Sequence, residues 1–256
     1  MELIGQKLHC ESHFSVISQE DCDTLLNLSN SATIGDGYNG DEKPHSDGEN
    51  FFGIGILKAA QLAQQGTVPL HAVRLYDIIE HKMAKIVQDY FKLDRPLYPD
   101  FIHLVCRKPT DTIEDDGEGN LILSHPVHPD NCIYKYDGSC PRKDPAYIWR
   151  EYSGVLYLND DVEGSFLYYT KPYNQNLGGE IFFADNSGKY AMVGAKPRCG
   201  RLVGFCAGLE CLHGVKKLKA GVRCALPVWF TTKKERVDFT LADARRIMDE
   251  VEMQQS

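Results

Sequence analysis

After Pro99 the chain becomes a succession of short strand-like runs, and this feature limits its fold more than any other. Residues 101–107, 121–124, 152–158, 180–184, 191–193, 202–206 and 222–231 are rich in apolar and aromatic side chains, with Gly, Pro, Asn and Asp between them. Strands at this density predict a β-sandwich or jelly roll. The segment ahead of them reads differently. Residues 14–17 alternate like a short strand, and Ser18 with Glu20 and Asp21 starts a helix running to about Asn30. Residues 31–55, rich in Gly, Asp and Asn, read as a long loop, and a short helix follows over 56–65. Tyr76, Ile79, Met83, Ile86, Val87 and Tyr90 recur at helical spacing, which predicts a helix from about Ala72 to Phe91. Thr240 followed by Asp243 caps a last helix to about Met253. The predicted class is α+β, with one domain over 1–256: helical support in 1–100, a strand core in 101–239 and a terminal helix in 240–256.

Composition excludes several alternatives. A chain of 256 residues with 43% hydrophobic and 25% charged content is not predominantly disordered, collagen-like or coiled coil. A net charge of −8 argues against nucleic acid as a partner. No apolar run approaches the roughly 20 residues of a membrane span. Met1–Lys7 lacks the apolar core of a signal peptide and the last residues carry no retention tetrapeptide, which reads as a protein of its compartment of synthesis or a domain cut from a longer chain. Nine cysteines without a CxxC pair argue against a structural zinc site. Cys132 and Cys140 close a short polar loop and are expected to pair in an oxidising compartment and to remain thiols in a reducing one. The acidic stretch 111–118 reads as a solvated loop and does not match calcium-loop spacing.

The segment that carries chemistry is His125-Pro126-Val127-His128-Pro129-Asp130-Asn131-Cys132. On an extended strand, residues two apart share a face, so His128 and Asp130 can converge on one metal. Downstream, His213 alone remains as a histidine partner. Two histidines and one carboxylate make the facial triad of non-heme Fe(II) oxygenases. Such an enzyme commonly takes electrons from 2-oxoglutarate, whose distal carboxylate needs a cationic anchor. Arg223 lies ten residues after His213, with Lys219-Ala220-Gly221 as a hairpin turn between them, so the chain is expected to double back and aim Arg223 into the same cavity. Alone, His-x-Asp is a weak signal and equally suits a hydrogen-bonded structural pair. Joined to a distant His and then Arg, in strand-rich sequence, it fits the element order of a double-stranded β-helix.

With these residues in view, the chain resembles the catalytic domain of the leprecan-type procollagen prolyl 3-hydroxylases, in the Fe(II)/2-oxoglutarate dioxygenase superfamily. The resemblance rests on His125–Cys132, Tyr152–Asp161, Gly178–Phe183, Lys196–Arg201, His213–Lys216, Arg223–Ala225 and Trp229–Thr231, and upstream on Gly35–Tyr38 with Pro44-His45, Leu57–Ala59 and Val68–Leu70. It implies a jelly-roll (cupin-like) core, Fe(II) as metal, 2-oxoglutarate as cosubstrate, L-ascorbate as a requirement and the endoplasmic reticulum lumen as location. The reaction implied is hydroxylation at C3 of peptidyl proline in a collagen-like polypeptide, with succinate and CO2 as coproducts. By the family pattern His128, Asp130 and His213 bind iron and Arg223 binds 2-oxoglutarate. The chain departs from that pattern in lacking the family's helical-repeat region, signal peptide and retention signal. It also carries a Tyr- and Asn-rich insertion over 165–177 and has Glu210-Cys211-Leu212 where Glu-Asn-Pro is usual. Pro227 interrupts a strand, which predicts an edge or a bulge.

Other residues carry blander expectations. His125, three residues before His128, is expected to face away from it on a strand. His45 reads as solvated, and His9, His13, His71, His81 and His103 as surface or satisfied core. Gly178-Gly179 suggests a bulge, or a place where substrate backbone approaches. Arg198 and Arg201 read as surface charge; Tyr152, Tyr157 and Trp229 as packing, with one tyrosine a candidate to help hold 2-oxoglutarate. Tyr168, Tyr169 and Tyr173 suit either a surface loop or stacking on proline rings. The rival functions are a non-catalytic collagen-binding or chaperone module, a lysyl or other prolyl hydroxylase, and a zinc hydrolase, for which no general base is placed beside the ligands.

Overall fold

The computed structural model describes residues 10–13, 15–31, 49–109, 123–135, 137–141, 147–160, 178–218 and 220–255. The Gly35–Tyr38 motif, His9, His45, the acidic stretch and the 165–177 insertion with its tyrosines lie outside them. Two antiparallel sheets face each other, the layering of a jelly roll. The large sheet orders β1 (Cys10–His13), β9 (Leu202–Cys206), β6 (Tyr152–Tyr157), β11 (Arg223–Thr231), β4 (Leu104–Pro109) and β2 (Glu49–Ile54), with β3 (Tyr98–Ile102) also on β11. The small sheet orders β5 (Leu123–His128), β10 (His213–Lys216), β7 (Ile181–Ala184) and β8 (Ala191–Ala195). Among the described residues four helices accompany them: α1 (Gln19–Ser29), α2 (Ile56–Gln64), α3 (Leu70–Tyr90) and α4 (Phe239–Gln255). Among the described residues no helix is long and apolar enough to cross a membrane.

Strand alternation sorts side chains between the two faces of the large sheet. From β11, Cys224, Leu226, Val228 and Phe230 join a core with the helices, while Ala225 joins Tyr157, Ile181, Phe183, Val203 and Phe205 between the sheets. Helix α3 lies close because two glycines face it across the β6–β9 pair. A Cβ at Gly154 would sit 3.2 Å from Met83 Cε, and one at its partner Gly204 would sit 3.2 Å from Val87 Cγ2. Ser18 caps α1 through its side chain and Asp21 returns a capping-box bond. Disulfides join Cys22–Cys199, Cys106–Cys224, Cys132–Cys140 and Cys206–Cys211. The 132–140 pairing is thus present.

Several sequence expectations need correction. The first strand is Cys10–His13 rather than residues 14–17; Val16 and Ile17 are buried in the link to α1, where Val16 N–H donates to Gly200 O at 2.8 Å. The expected loop over 31–55 contains β2, whose Glu49 looks polar in sequence but is buried beside Arg107 and Ser124. Residues 101–107 form parts of two strands, split at His103. The split follows from β11, which pairs first with β4 and then with β3 on one side. Pro227 sits at that junction, so it lies in a central strand and not at an edge. Its missing N–H falls between two ladders, and its carbonyl accepts from His103 N–H at 3.3 Å. Asp238, not Thr240, caps α4, accepting from Thr240 N–H at 2.9 Å.

Candidate active site

The two histidines meet because β5 and β10 pair with His128 directly opposite His213. Their rings stand 4.4 Å apart between centroids. Asp130 lies just past the end of β5, and its Oδ1 is 3.5 Å from His128 Nε2 and 3.7 Å from His213 Nε2. Each imidazole is oriented by a backbone carbonyl: His128 Nδ1 donates to Pro126 O at 2.7 Å and His213 Nδ1 to Cys211 O at 3.0 Å. A carbonyl only accepts, so Nδ1 carries the proton and Nε2 turns its lone pair toward the carboxylate. Asp130 Oδ2 accepts from the buried Ser153 hydroxyl at 2.6 Å. Phe205 packs on His213 at 4.6 Å and Phe183 at 6.0 Å.

Electrostatics favour the ligand forms of His213 and Asp130. Burial, opposed by Asp130 and reinforced by His128, pushes His213 down to about 4, so its ring is neutral near pH 7. Burial works against ionisation of Asp130. His213, His128 and the Ser153 hydroxyl outweigh it and hold the carboxyl well below its usual range. With Nδ1 of each ring committed to a carbonyl, both Nε2 atoms and a carboxylate oxygen converge on one point, an arrangement that one cation can bridge. The three ligand atoms all lie within 4.8 Å of one another. Two imidazoles and one carboxylate suit a divalent transition metal, and the donor set fits iron. His128 remains 25% exposed, which leaves an approach on its side.

Arg223 opens β11 on the inter-sheet face, 7% exposed, with its guanidinium 5.1 Å from the centre of the Tyr157 ring. It is not delivered by the expected hairpin. The link after β10 crosses from the small sheet to the large one, with Gly221 at φ +76°, and β10 and β11 do not pair. Gly179 makes room for its stem: at φ +71°, a Cβ there would lie 3.1 Å from Arg223 Cδ. Gly179 thus admits the stem of Arg223. Arg223 Nε is buried without a hydrogen-bond partner, and no carboxylate pairs with the group among the described residues. Its cross-strand neighbour Arg107 differs. Arg107 donates to Ser124 O at 2.9 Å and lies 3.5 Å from Glu49. One buried cation is neutralised by a carboxylate of the chain, and the other meets none among the described residues.

The four expected site residues thus share one inter-sheet region. Ser153, the carbonyls of Pro126 and Cys211, and the Glu49–Arg107–Ser124 network were not foreseen, and backbone carbonyls leave no sequence signal. Other placements differ from expectation. His125 stacks on His128 at 3.9 Å instead of facing away, because β5 and β10 change register beside it and both rings turn to Pro126 O. Arg201 is 4% exposed and donates to Lys196 O at 2.7 Å, so it is no surface charge, whereas Arg198 is exposed. His103 is a core histidine, packed by Phe51 and Phe101. Tyr157 is fully buried, and its hydroxyl accepts from Ile181 N–H at 3.3 Å.

No family model matches the chain. It is 41% identical over 218 residues to prolyl 3-hydroxylase 1 of Mus musculus, which covers 84% of this chain and 27% of that protein. To prolyl 3-hydroxylase 2 of Mus musculus it is 39% identical over 219 residues, 85% of this chain and 29% of that protein. The chain therefore spans between a quarter and a third of these curated relatives. The resemblance read from the motifs is borne out over that stretch. In three dimensions it is similar to HygX of Streptomyces hygroscopicus, a structure with nickel and 2-oxoglutarate bound, at a TM-score of 0.52 and 10% identity over 88% of this chain and 83% of that one. That likeness shows the fold, and the fold class expected from the sequence holds.

Proposed function

We propose, for a chain whose matched stretch is shared with prolyl 3-hydroxylases 1 and 2, that it is an Fe(II)- and 2-oxoglutarate-dependent dioxygenase hydroxylating peptidyl proline, at C3 in collagen-like sequence. His128, Asp130 and His213 would hold the iron, and Arg223 the distal carboxylate of 2-oxoglutarate. The observation that carries this reading is the buried Arg223, without a carboxylate partner among the described residues, on the same inter-sheet side as three convergent candidate ligand atoms. A carboxylate there completes a bidentate, charge-assisted pair and removes the cost of an unpaired buried cation. Bound iron supplies the activation of O2, and the protein supplies orientation and exclusion of water. Tyr157 accepts one hydrogen bond from Ile181 N–H, so its O–H remains to donate to the same carboxylate. Ser153 and the two carbonyls hold the ligands in the geometry that receives the metal.

A peptide would lie against Trp229 and Phe101, the half-buried end of a row of cross-strand partners that continues through Ser153 to Phe205 under the metal-site residues. Trp229 and Phe101 are half-buried, their rings 5.6 Å apart, and Trp229 Nε1 is a buried donor without a partner. Proline-rich segments carry exposed carbonyls and flat rings that such a surface accepts. We place the protein in the endoplasmic reticulum lumen, with L-ascorbate as the reductant that keeps the iron ferrous. Four disulfides suit an oxidising compartment. The whole chain would act as a single dioxygenase domain. The test is a proline-rich collagen-like peptide incubated with Fe(II), 2-oxoglutarate and ascorbate, with succinate measured and the product hydrolysed to separate 3- from 4-hydroxyproline. Succinate with 3-hydroxyproline is expected. Hydroxylysine or 4-hydroxyproline would move the assignment to another hydroxylase, and peptide binding without succinate would favour a non-catalytic module.

A further inference from the structure

We infer that the disulfide-closed loop from Cys206 to Cys211 is the bracket that spaces Asp130 and His213, making metal affinity conditional on that bond. This rests on the metal-site reading above. Cys206 is the last residue of β9 in the large sheet, and Cys211 ends a short 3-10 turn two residues before His213 in the small sheet. The bond therefore ties the two sheets together beside the site. Two carbonyls of this one loop serve two different ligands. Ala207 O accepts from the backbone N–H of Asp130 at 2.9 Å and of Asn131 at 3.1 Å. Cys211 O accepts from His213 Nδ1 at 3.0 Å and so fixes its ring and tautomer. The strand residue just before the loop, Phe205, packs on the same imidazole. Both cysteines are buried, at 7% and 2% exposure. The separation of Asp130 and His213 is thus carried by the shape of a loop whose ends are covalently closed.

Loop length distinguishes this bond from the others. A cross-link stabilises a fold largely by restricting the unfolded chain, and the restriction grows with the loop closed. Cys22–Cys199 spans 177 residues and Cys206–Cys211 spans 5. The long bond contributes most to global stability, whereas the short one contributes chiefly local geometry. Cys206 and Cys211 are accordingly positioning residues for the metal ligands.

The test compares Cys206→Ala/Cys211→Ala with Cys22→Ala/Cys199→Ala in the full chain. Co(II) is titrated anaerobically as the probe, following its visible absorption, and thermal midpoints are recorded in parallel. The 206/211 variant should bind Co(II) about ten- to a hundred-fold more weakly, as outer-shell losses do, with an altered spectrum and the smaller fall in midpoint. The 22/199 variant should show the larger fall in midpoint and bind Co(II) as the wild type does. A 206/211 variant with wild-type Co(II) affinity and spectrum overturns the bracket while leaving the metal site standing. A 206/211 variant that is unfolded, or that melts below the 22/199 variant, also overturns it. Wild-type protein that binds no Co(II) removes the metal-site reading and the bracket with it.

Discussion

The large sheet presents two faces built from the same strands, and they follow opposite rules. Toward the helices, Leu156, Leu202, Leu226, Val228 and Phe230 meet Tyr76, Ile79 and Met83 in a continuous apolar core. Between the sheets, the same alternation buries Ser153, which donates to Asp130, and the cations Arg107 and Arg223, among apolar neighbours such as Tyr157, Val203, Phe205 and Ala225. Apolar burial stabilises without direction, at roughly 25 cal/mol per Å2. Buried polar groups cost free energy unless each finds a partner. The helix face therefore supplies most of the apolar burial, and the inter-sheet face sets buried polar groups within a smaller apolar cluster. The teaching is that stability and function can be separated strand by strand, with β11 carrying both at alternate residues.

The largest expected effect breaks the helix face alone. Phe230→Ala should lower unfolding free energy by about 3–5 kcal/mol in denaturant titration. Metal affinity of the remaining folded protein should stay unchanged. Next, Arg223→Met should weaken 2-oxoglutarate by about 2–5 kcal/mol, read as its KM, while the thermal midpoint holds or rises because an unpaired buried cation is gone. Equal losses of stability in both variants would erase the distinction between the faces.

The third prediction concerns a buried acid on the helix side, Glu80 of α3. Burial pushes its carboxyl up to about 7, against the pull of His81 and Arg245 and with further upward push from Asp77 and Asp238. The folded state therefore binds this proton more tightly than the unfolded chain. Its stabilising contribution is complete below about pH 4.5 and is lost as pH rises toward 7. Glu80→Gln should flatten that slope and be the more stable protein at pH 8, by about 2 kcal/mol at the order of magnitude. Unchanged stability at pH 8 would contradict the raised value. The smallest effect belongs to Ser153→Ala, which should weaken metal binding about ten-fold with little change in midpoint, seen by calorimetric titration.

The candidate metal-binding side chains were legible in the sequence because their chemistry is rare and their order informative. His128, Asp130, His213 and Arg223 could be named before any coordinates, and the helix period of α3 and the alternation of β6, β9 and β11 could be read directly. What could not be read was anything set by distant pairing. Strands β1 and β2 exist only because β9 and β4 offer them edges. The four residues of β10, His213–Lys216, are too few to show a period. The expected hairpin before Arg223 failed because a turn signal does not say which sheet the next strand joins. Of the disulfides, only Cys132–Cys140 is legible, from the polar loop it closes; partners 118 and 177 apart leave no local trace, and Cys206–Cys211, though 5 apart, is marked by no such loop. Ser153 and the carbonyls of Ala207 and Cys211 are invisible for a related reason: their role depends on position in space, not on residue type.

The central claim is that the inter-sheet face holds a competent iron and 2-oxoglutarate site. It is tested most directly by titrating the purified protein anaerobically with Fe(II) and 2-oxoglutarate and recording the visible charge-transfer band of the chelate. The account predicts a band in the wild type that is lost in His213→Ala, with both proteins folded by circular dichroism. A folded wild type without the band, or a His213→Ala variant that retains it, would contradict the account.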